Sequence, residues 1–192
     1  MSKQEDKTNS SQPRRSLARK SMMVALSLLL LIVIAALVVG TSSSKKKIFL
    51  PAVTFTKATG GSVDSAWGTP KKPGKATVII FFASWCEPCK KELPALSAYV
   101  RAHEKDNVVV LGLDGREDQP GDGIAFAKNA GFTNTVVVDP NYDLVSGLFS
   151  LPGFPDTVFV GSDGEMMKRH IGPLSVKDFA TFYQDLVERS KG

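Results

Sequence analysis

The apolar residues fall into runs of three kinds, and each kind predicts a different element. Met22 to Gly40 is 19 residues without a charge. At about 1.5 Å per helical residue that run is long enough to cross a hydrocarbon core of about 30 Å. Ala76 to Phe82 and Val108 to Leu113 are short and almost wholly apolar, the pattern of strands buried on both faces. Thr135 to Val138 reads as a further strand. Thr157 to Val160 and Met166 to Ile171 flank Gly161-Ser162-Asp163-Gly164, which predicts a hairpin. Val53 to Thr56 and the stretch before Trp67, separated by Gly60-Gly61, suggest a short hairpin nearer the N-terminus. Helical spacing predicts helices from Cys86 to about His103, bent at Pro94, and over Asp122 to Asn129 and Asn141 to Ser150. Ser175 caps a last amphipathic helix that carries Phe179, Phe182, Tyr183 and Leu186 on one face.

Strands alternating with helices and closing on a hairpin and a helix predict a three-layer α/β domain over residues 50–192. Residues 1–21 are polar, rich in Ser, Lys and Arg, and lack apolar periodicity, so they read as a disordered tail. Residues 22–40 read as a transmembrane anchor and 41–49 as a linker. A cleaved signal peptide is the competing reading, but its apolar core is usually about 7–15 residues. Either reading exports the domain.

Charge sharpens this division. The tail carries six Lys and Arg against Glu5 and Asp6, a balance of +4, and Lys45 to Lys47 add +3. Taking both from the chain's +5 leaves −2 for residues 48–192. The basic residues ahead of the run predict a cytoplasmic tail and an extracytoplasmic domain, a single pass through the plasma membrane. The pI of about 9.2 thus belongs to the membrane flanks, which argues against nucleic-acid binding by the domain.

The chain has two cysteines, Cys86 and Cys89, set directly after the predicted strand 76–82. Strand, turn and helix place Cys86 at a helix N-terminus, where unpaired N–H groups and the helix dipole favour a thiolate. Pro88 suits the first turn, where its missing N–H costs nothing. A zinc site would want about four ligands, and His103 and His170 are distant, so no metal is expected. A structural disulfide across so small a loop would constrain the unfolded chain little. A redox-active dithiol is the remaining chemistry, and it needs no cofactor.

The run Trp85-Cys86-Glu87-Pro88-Cys89-Lys90-Lys91-Glu92-Leu93-Pro94 resembles the active-site signature of the thioredoxin superfamily, and within it the TlpA/ResA-like extracytoplasmic thiol-disulfide oxidoreductases. Gly153-Phe154-Pro155-Asp156-Thr157 resembles the segment that carries that family's cis-proline, here Pro155. The resemblance covers residues 50 to 190. It implies a thioredoxin-like fold with an N-terminal β-hairpin and an extra helix–strand insertion near Asp122 to Val138. It further implies that Cys86 is the nucleophile at an exposed tip and that Cys89 is the resolving thiol, tucked into the helix. Pro155 would lie beside them, with Phe154 presenting its backbone to an extended substrate.

Glu92, three residues after Cys89, would share its helix face, oppose thiolate formation and relay protons. Glu87 and Pro88 inside the turn and Trp85 ahead of it complete the expected substrate-facing set. Trp85 reads equally as a lid or as core. Thioredoxins proper carry a buried acid where this chain has Ile80, which leaves Glu92 as the natural substitute. The resemblance implies a dithiol reductase of exported disulfide proteins such as apocytochrome c, supplied with electrons by a membrane donor protein. A general disulfide oxidase or isomerase is the alternative, and a copper-chaperone role the distant one.

Overall fold

The computed structural model describes residues 22–34, 46–115, 121–140 and 143–191. The chain divides into two compact units, Met1–Lys46 and Lys47–Gly192. In the first, residues 22–34 form a helix, α1, with exposed side chains. The tail 1–21 and residues 35–45, which include the rest of the predicted span, lie outside the described residues. Among the described residues no helix is long and apolar enough to cross a membrane.

The second unit is built on a seven-stranded sheet. Its strands are β1 (Thr54–Lys57), β2 (Ser62–Asp64), β3 (Ala76–Phe82), β4 (Val108–Asp114), β5 (Thr135–Val138), β6 (Asp156–Val160) and β7 (Met166–Ile171), in the order β2-β1-β5-β4-β3-β6-β7. The central strands β3, β4 and β5 run parallel; β6, β7 and the β1–β2 hairpin pair antiparallel. The helices are α2 (Glu87–Ala102), α3 (Asp122–Asn129) and α4 (Val176–Arg189).

β3 explains the two cores. All seven of its residues are buried, and a strand's period of two sends alternate side chains to opposite faces. Val78, Ile80 and Phe82 join Leu93 and Leu96 of α2 and Phe179, Tyr183 and Leu186 of α4 on one face. Ile79 and Phe81 join Phe55, Trp67, Phe149 and Val158 on the other. All three helices of this unit contribute to the first face. The second is covered instead by residues around Leu50 and Trp67 and by the segment 143–149, so the expected outer helical layer is not α-helical there.

That segment also departs from the expected helix Asn141 to Ser150. Asp143–Leu148 is π-helical, and Phe149 N–H donates to the Leu144 carbonyl at 2.9 Å, five residues back. Gly147 weakens an α-helix here, and the wider turn lets Leu144 and Leu148 pack beneath the sheet while Phe149 meets the Phe81 ring edge-on at 5.0 Å. The start of the segment is held by Asp139 Oδ2, which accepts from Leu144 N–H at 2.9 Å. The α3–β5 unit stands where the sequence places it, with β5 pairing both β4 and β1.

Candidate active site

The cysteine turn follows from the end of β3. Cys86 N–H donates to the Ala83 carbonyl at 3.1 Å, and Cys86 then serves as the N-cap of α2 with extended backbone angles. Its Sγ accepts from Cys89 N–H at 3.2 Å, a contact that a thiolate would strengthen. Pro88 occupies the first helical turn. Cys86 and Cys89 form a disulfide with their Cα atoms 5.2 Å apart. The expectation of an exposed Cys86 beside a tucked-in Cys89 is not met in this oxidised form: the residues are 3% and 1% exposed. The disulfide folds both against the first core, whose cluster includes them, and leaves Trp85 as the prominent exposed group at 53%.

Trp85 is therefore not core. Its ring meets Phe154 edge to face at 5.8 Å. Phe154 is half-buried and packs against the cluster that contains both cysteines. It also lies so close to Gly115 that an added Cβ would stand 2.3 Å from its ring. The Phe154–Pro155 bond is cis, Pro155 is buried, and its carbonyl accepts from Gly172 N–H at 2.9 Å. Gly115, at the exit of β4, is thus a steric requirement of the site that its sequence position does not signal.

Glu92 sits one helical turn after Cys89, facing the segment that leads into α4. It is half-buried, and its Oε2 accepts from Leu174 N–H at 2.7 Å. Burial pushes its carboxyl up from 4.5 to about 7, with the Leu174 hydrogen bond opposing in part. Desolvation, not a neighbouring charge, is the main cause of that rise. Beside it runs an open groove of about 560 Å³, lined by Pro88, Glu92, Ala95, Pro173, Leu174 and Val176 among others. Glu87 is exposed and pairs with Lys90 at 2.7 Å; that hydrogen bond and charge hold its carboxyl below the usual range. Ile80 is buried in the first core, so β3 offers no acid.

The histidines keep to the periphery. His103 caps the end of α2 with its Nδ1 2.8 Å from the Tyr99 carbonyl, and His170 lies on β7 with Nε2 3.1 Å from the Pro173 carbonyl. Among the described residues no group of three or more His, Cys, Asp or Glu could hold a metal ion.

Sequence reasoning passed over Asp156 and Arg169. Asp156 is fully buried, and its Oδ2 accepts from Arg169 Nε at 2.9 Å and Nη2 at 2.6 Å. Burial raises its carboxyl, and the guanidinium counteracts that rise. An aspartate opening a strand that otherwise holds Thr157 and three apolar residues, directly after Pro155, was the available signal.

With this geometry in hand, the AhpC/TSA family model matches residues 50–169. The sporulation thiol-disulfide oxidoreductase A of Bacillus subtilis is 30% identical over 138 residues, which is 71% of this chain and 81% of that protein. The thiol-disulfide oxidoreductase ResA of Bacillus cereus is 24% identical over 116 residues, 59% of this chain and 64% of that protein. The crystal structure of StoA from Bacillus subtilis shares the fold. It superposes with a TM-score of 0.57 and 24% identity, covering 69% of this chain and 96% of that one.

Proposed function

The chain belongs to the AhpC/TSA family and is a thiol-disulfide oxidoreductase of the ResA and StoA type; from that premise we propose that it is a membrane-tethered dithiol reductase of exported disulfide proteins, apocytochrome c being one such substrate. Residues 22–40 anchor it in the plasma membrane with the tail 1–21 in the cytoplasm and residues 50–192 outside. The uncharged run and the basic residues ahead of it support that reading.

In the reductive half-cycle the Cys86 thiolate attacks one sulfur of the substrate disulfide. That S–S bond breaks, one substrate thiolate leaves, and a mixed disulfide forms. Cys89 then attacks Cys86 Sγ, expels the second substrate thiolate and closes the Cys86–Cys89 disulfide seen here. Two electrons have passed to the substrate, and its two sulfurs take up two protons. Glu92, on the helix face of Cys89, receives the proton that the resolving thiol gives up. Trp85, Glu87, Pro88 and the Phe154–Pro155 segment form the substrate-facing rim. A membrane donor protein with a dithiol of its own returns the pair to the reduced form.

The observation that carries the direction is Glu92. A half-buried carboxyl near the dithiol adds nothing to thiolate stability and opposes it when ionised, whereas strong oxidants stabilise their reduced form. Equilibration of the Cys86–Cys89 couple against glutathione or dithiothreitol tests this. A potential toward the thioredoxin value of roughly −270 mV supports the reductase; one near roughly −120 mV refutes it in favour of the general oxidase.

A further inference from the structure

One guanidinium holds both ends of the loop that faces the disulfide. The chain leaves the π-helical segment at Phe149, runs through residues 150–155 and enters β6 at Asp156. Arg169, on the neighbouring strand β7, donates from Nη1 to the Phe149 carbonyl at 2.7 Å and from Nε and Nη2 to Asp156 Oδ2 at 2.9 and 2.6 Å. Phe154 and Pro155 lie between these anchors, and the Phe154 ring meets Trp85 beside Cys86.

Resting on the thiol-disulfide reading above, we propose that Arg169 and Asp156 are positioning residues: a clamp that fixes loop 150–155 against the dithiol so that it can receive the peptide chain flanking a substrate disulfide.

Three features support the clamp. Arg169 reaches its partners from the second face of the sheet: it is in register with Val158, and Asp156 with Phe81, and both those neighbours belong to the second core. It therefore touches neither cysteine, and its effect must pass through the loop. Asp156 is fully buried while the Arg169 side chain keeps 21% exposure, so the cation remains partly hydrated and the carboxylate depends on it. A charged acceptor and a carbonyl held by one planar fork fix direction as well as distance, which a lysine could not reproduce. The loop keeps other contacts, the Pro155 carbonyl with Gly172 N–H and Phe154 with Gly115, so losing the clamp should loosen it without unfolding it.

The test compares a protein disulfide with a small one. Reduction of insulin and of hydroxyethyl disulfide is followed in wild type, in Arg169→Met and in Asp156→Asn. In Arg169→Met we expect the KM for insulin to rise roughly tenfold, the scale of a lost charge-assisted hydrogen bond, with kcat changed much less. The rate with hydroxyethyl disulfide, which has no flanking chain to dock, should change by less than about twofold on the same grounds. Asp156→Asn keeps an acceptor for Arg169 and should give a smaller KM increase. An unchanged insulin KM, or insulin and hydroxyethyl disulfide losing rate by the same factor, overturns the clamp. If Arg169→Met does not fold, judged by near-ultraviolet circular dichroism, the paired Arg169→Gln/Asp156→Asn protein takes its place with the same criteria. Should wild type itself reduce neither disulfide, the dithiol reading fails, and that failure is distinct from failure of the clamp.

Discussion

Glu92→Gln should remove a specific component of the pH dependence of stability. The Glu92 carboxyl titrates at about 7 in the folded oxidised protein, against 4.5 when exposed. A raised carboxyl binds its proton more tightly in the folded state than in the unfolded one. Its contribution therefore favours folding at low pH, declines as pH rises from about 4.5 to about 7, and is constant above. At about 1.36 kcal/mol per pH unit, the interval corresponds to at most about 3 kcal/mol. The carboxyl borders an open groove, so solvent screening brings the expected figure to roughly 1.5 kcal/mol. Gln retains an oxygen for Leu174 N–H and cannot ionise. Urea unfolding of the oxidised protein, followed by tryptophan fluorescence at pH 5, 6, 7 and 8, gives the two curves. Wild type should lose about 1.5 kcal/mol relative to Glu92→Gln between pH 5 and 8. Taking the difference cancels every other titrating group, Asp156 included. Parallel curves would show that Glu92 is not perturbed by burial.

Cys86→Ser should abolish disulfide exchange, whereas Cys89→Ser should trap mixed disulfides through Cys86; adducts on Cys89 in the Cys86→Ser protein, seen on non-reducing gels, would reverse the assigned roles. Glu92→Gln should also lower at least one cysteine pKa in the reduced protein, read from thiolate absorbance at 240 nm or alkylation rate, since it removes a like charge. Gly115→Ala places a methyl 2.3 Å from the Phe154 ring. The displaced ring should cost about 1–3 kcal/mol in urea unfolding and change the fluorescence of Trp85; an unaltered spectrum and stability would mean the ring relocates freely. Protease added to intact spheroplasts should degrade residues 50–192, and protection of that domain would sink the export topology.

The legible parts of the chain were those whose pattern is local. β3 was readable because seven consecutive buried residues admit few alternatives, and Ser175 because a cap is a one-residue signal, matched by its 3.1 Å bond from Asp178 N–H. The placement of Cys86, Cys89 and Glu92 at the start of one helix was readable from their spacing. What stayed hidden depends on tertiary placement. The burial of Cys86 depends on how the disulfide lies against the core, and the exposure of Trp85 on where Phe154 comes to rest. The π-helical turn at Asp143–Leu148 depends on packing against the sheet beneath it as well as on the weak helix propensity of Gly147. Arg169 is 13 residues from Asp156 and 20 from Phe149, and only the β6–β7 register brings the three together.

Burial raises two acids near this site, and their surroundings give them opposite uses. Asp156 has a guanidinium at 2.6 Å that favours its charged form, and the sheet separates it from the cysteines: its register partner Phe81 lies in the second core, while Cys86 and Cys89 lie in the first. It is suited to holding backbone in place and not to trading protons with the dithiol. Glu92 has a neutral N–H as its hydrogen-bond partner, and it stands on the helix that carries both sulfurs' turn. With burial disfavouring its anion, its proton is exchangeable near neutrality, where a resolving thiol needs a base. Ile80 closes the route through the sheet that a buried acid in β3 would provide. On the proposed mechanism, the open groove beside Glu92 gives its proton an exit to solvent.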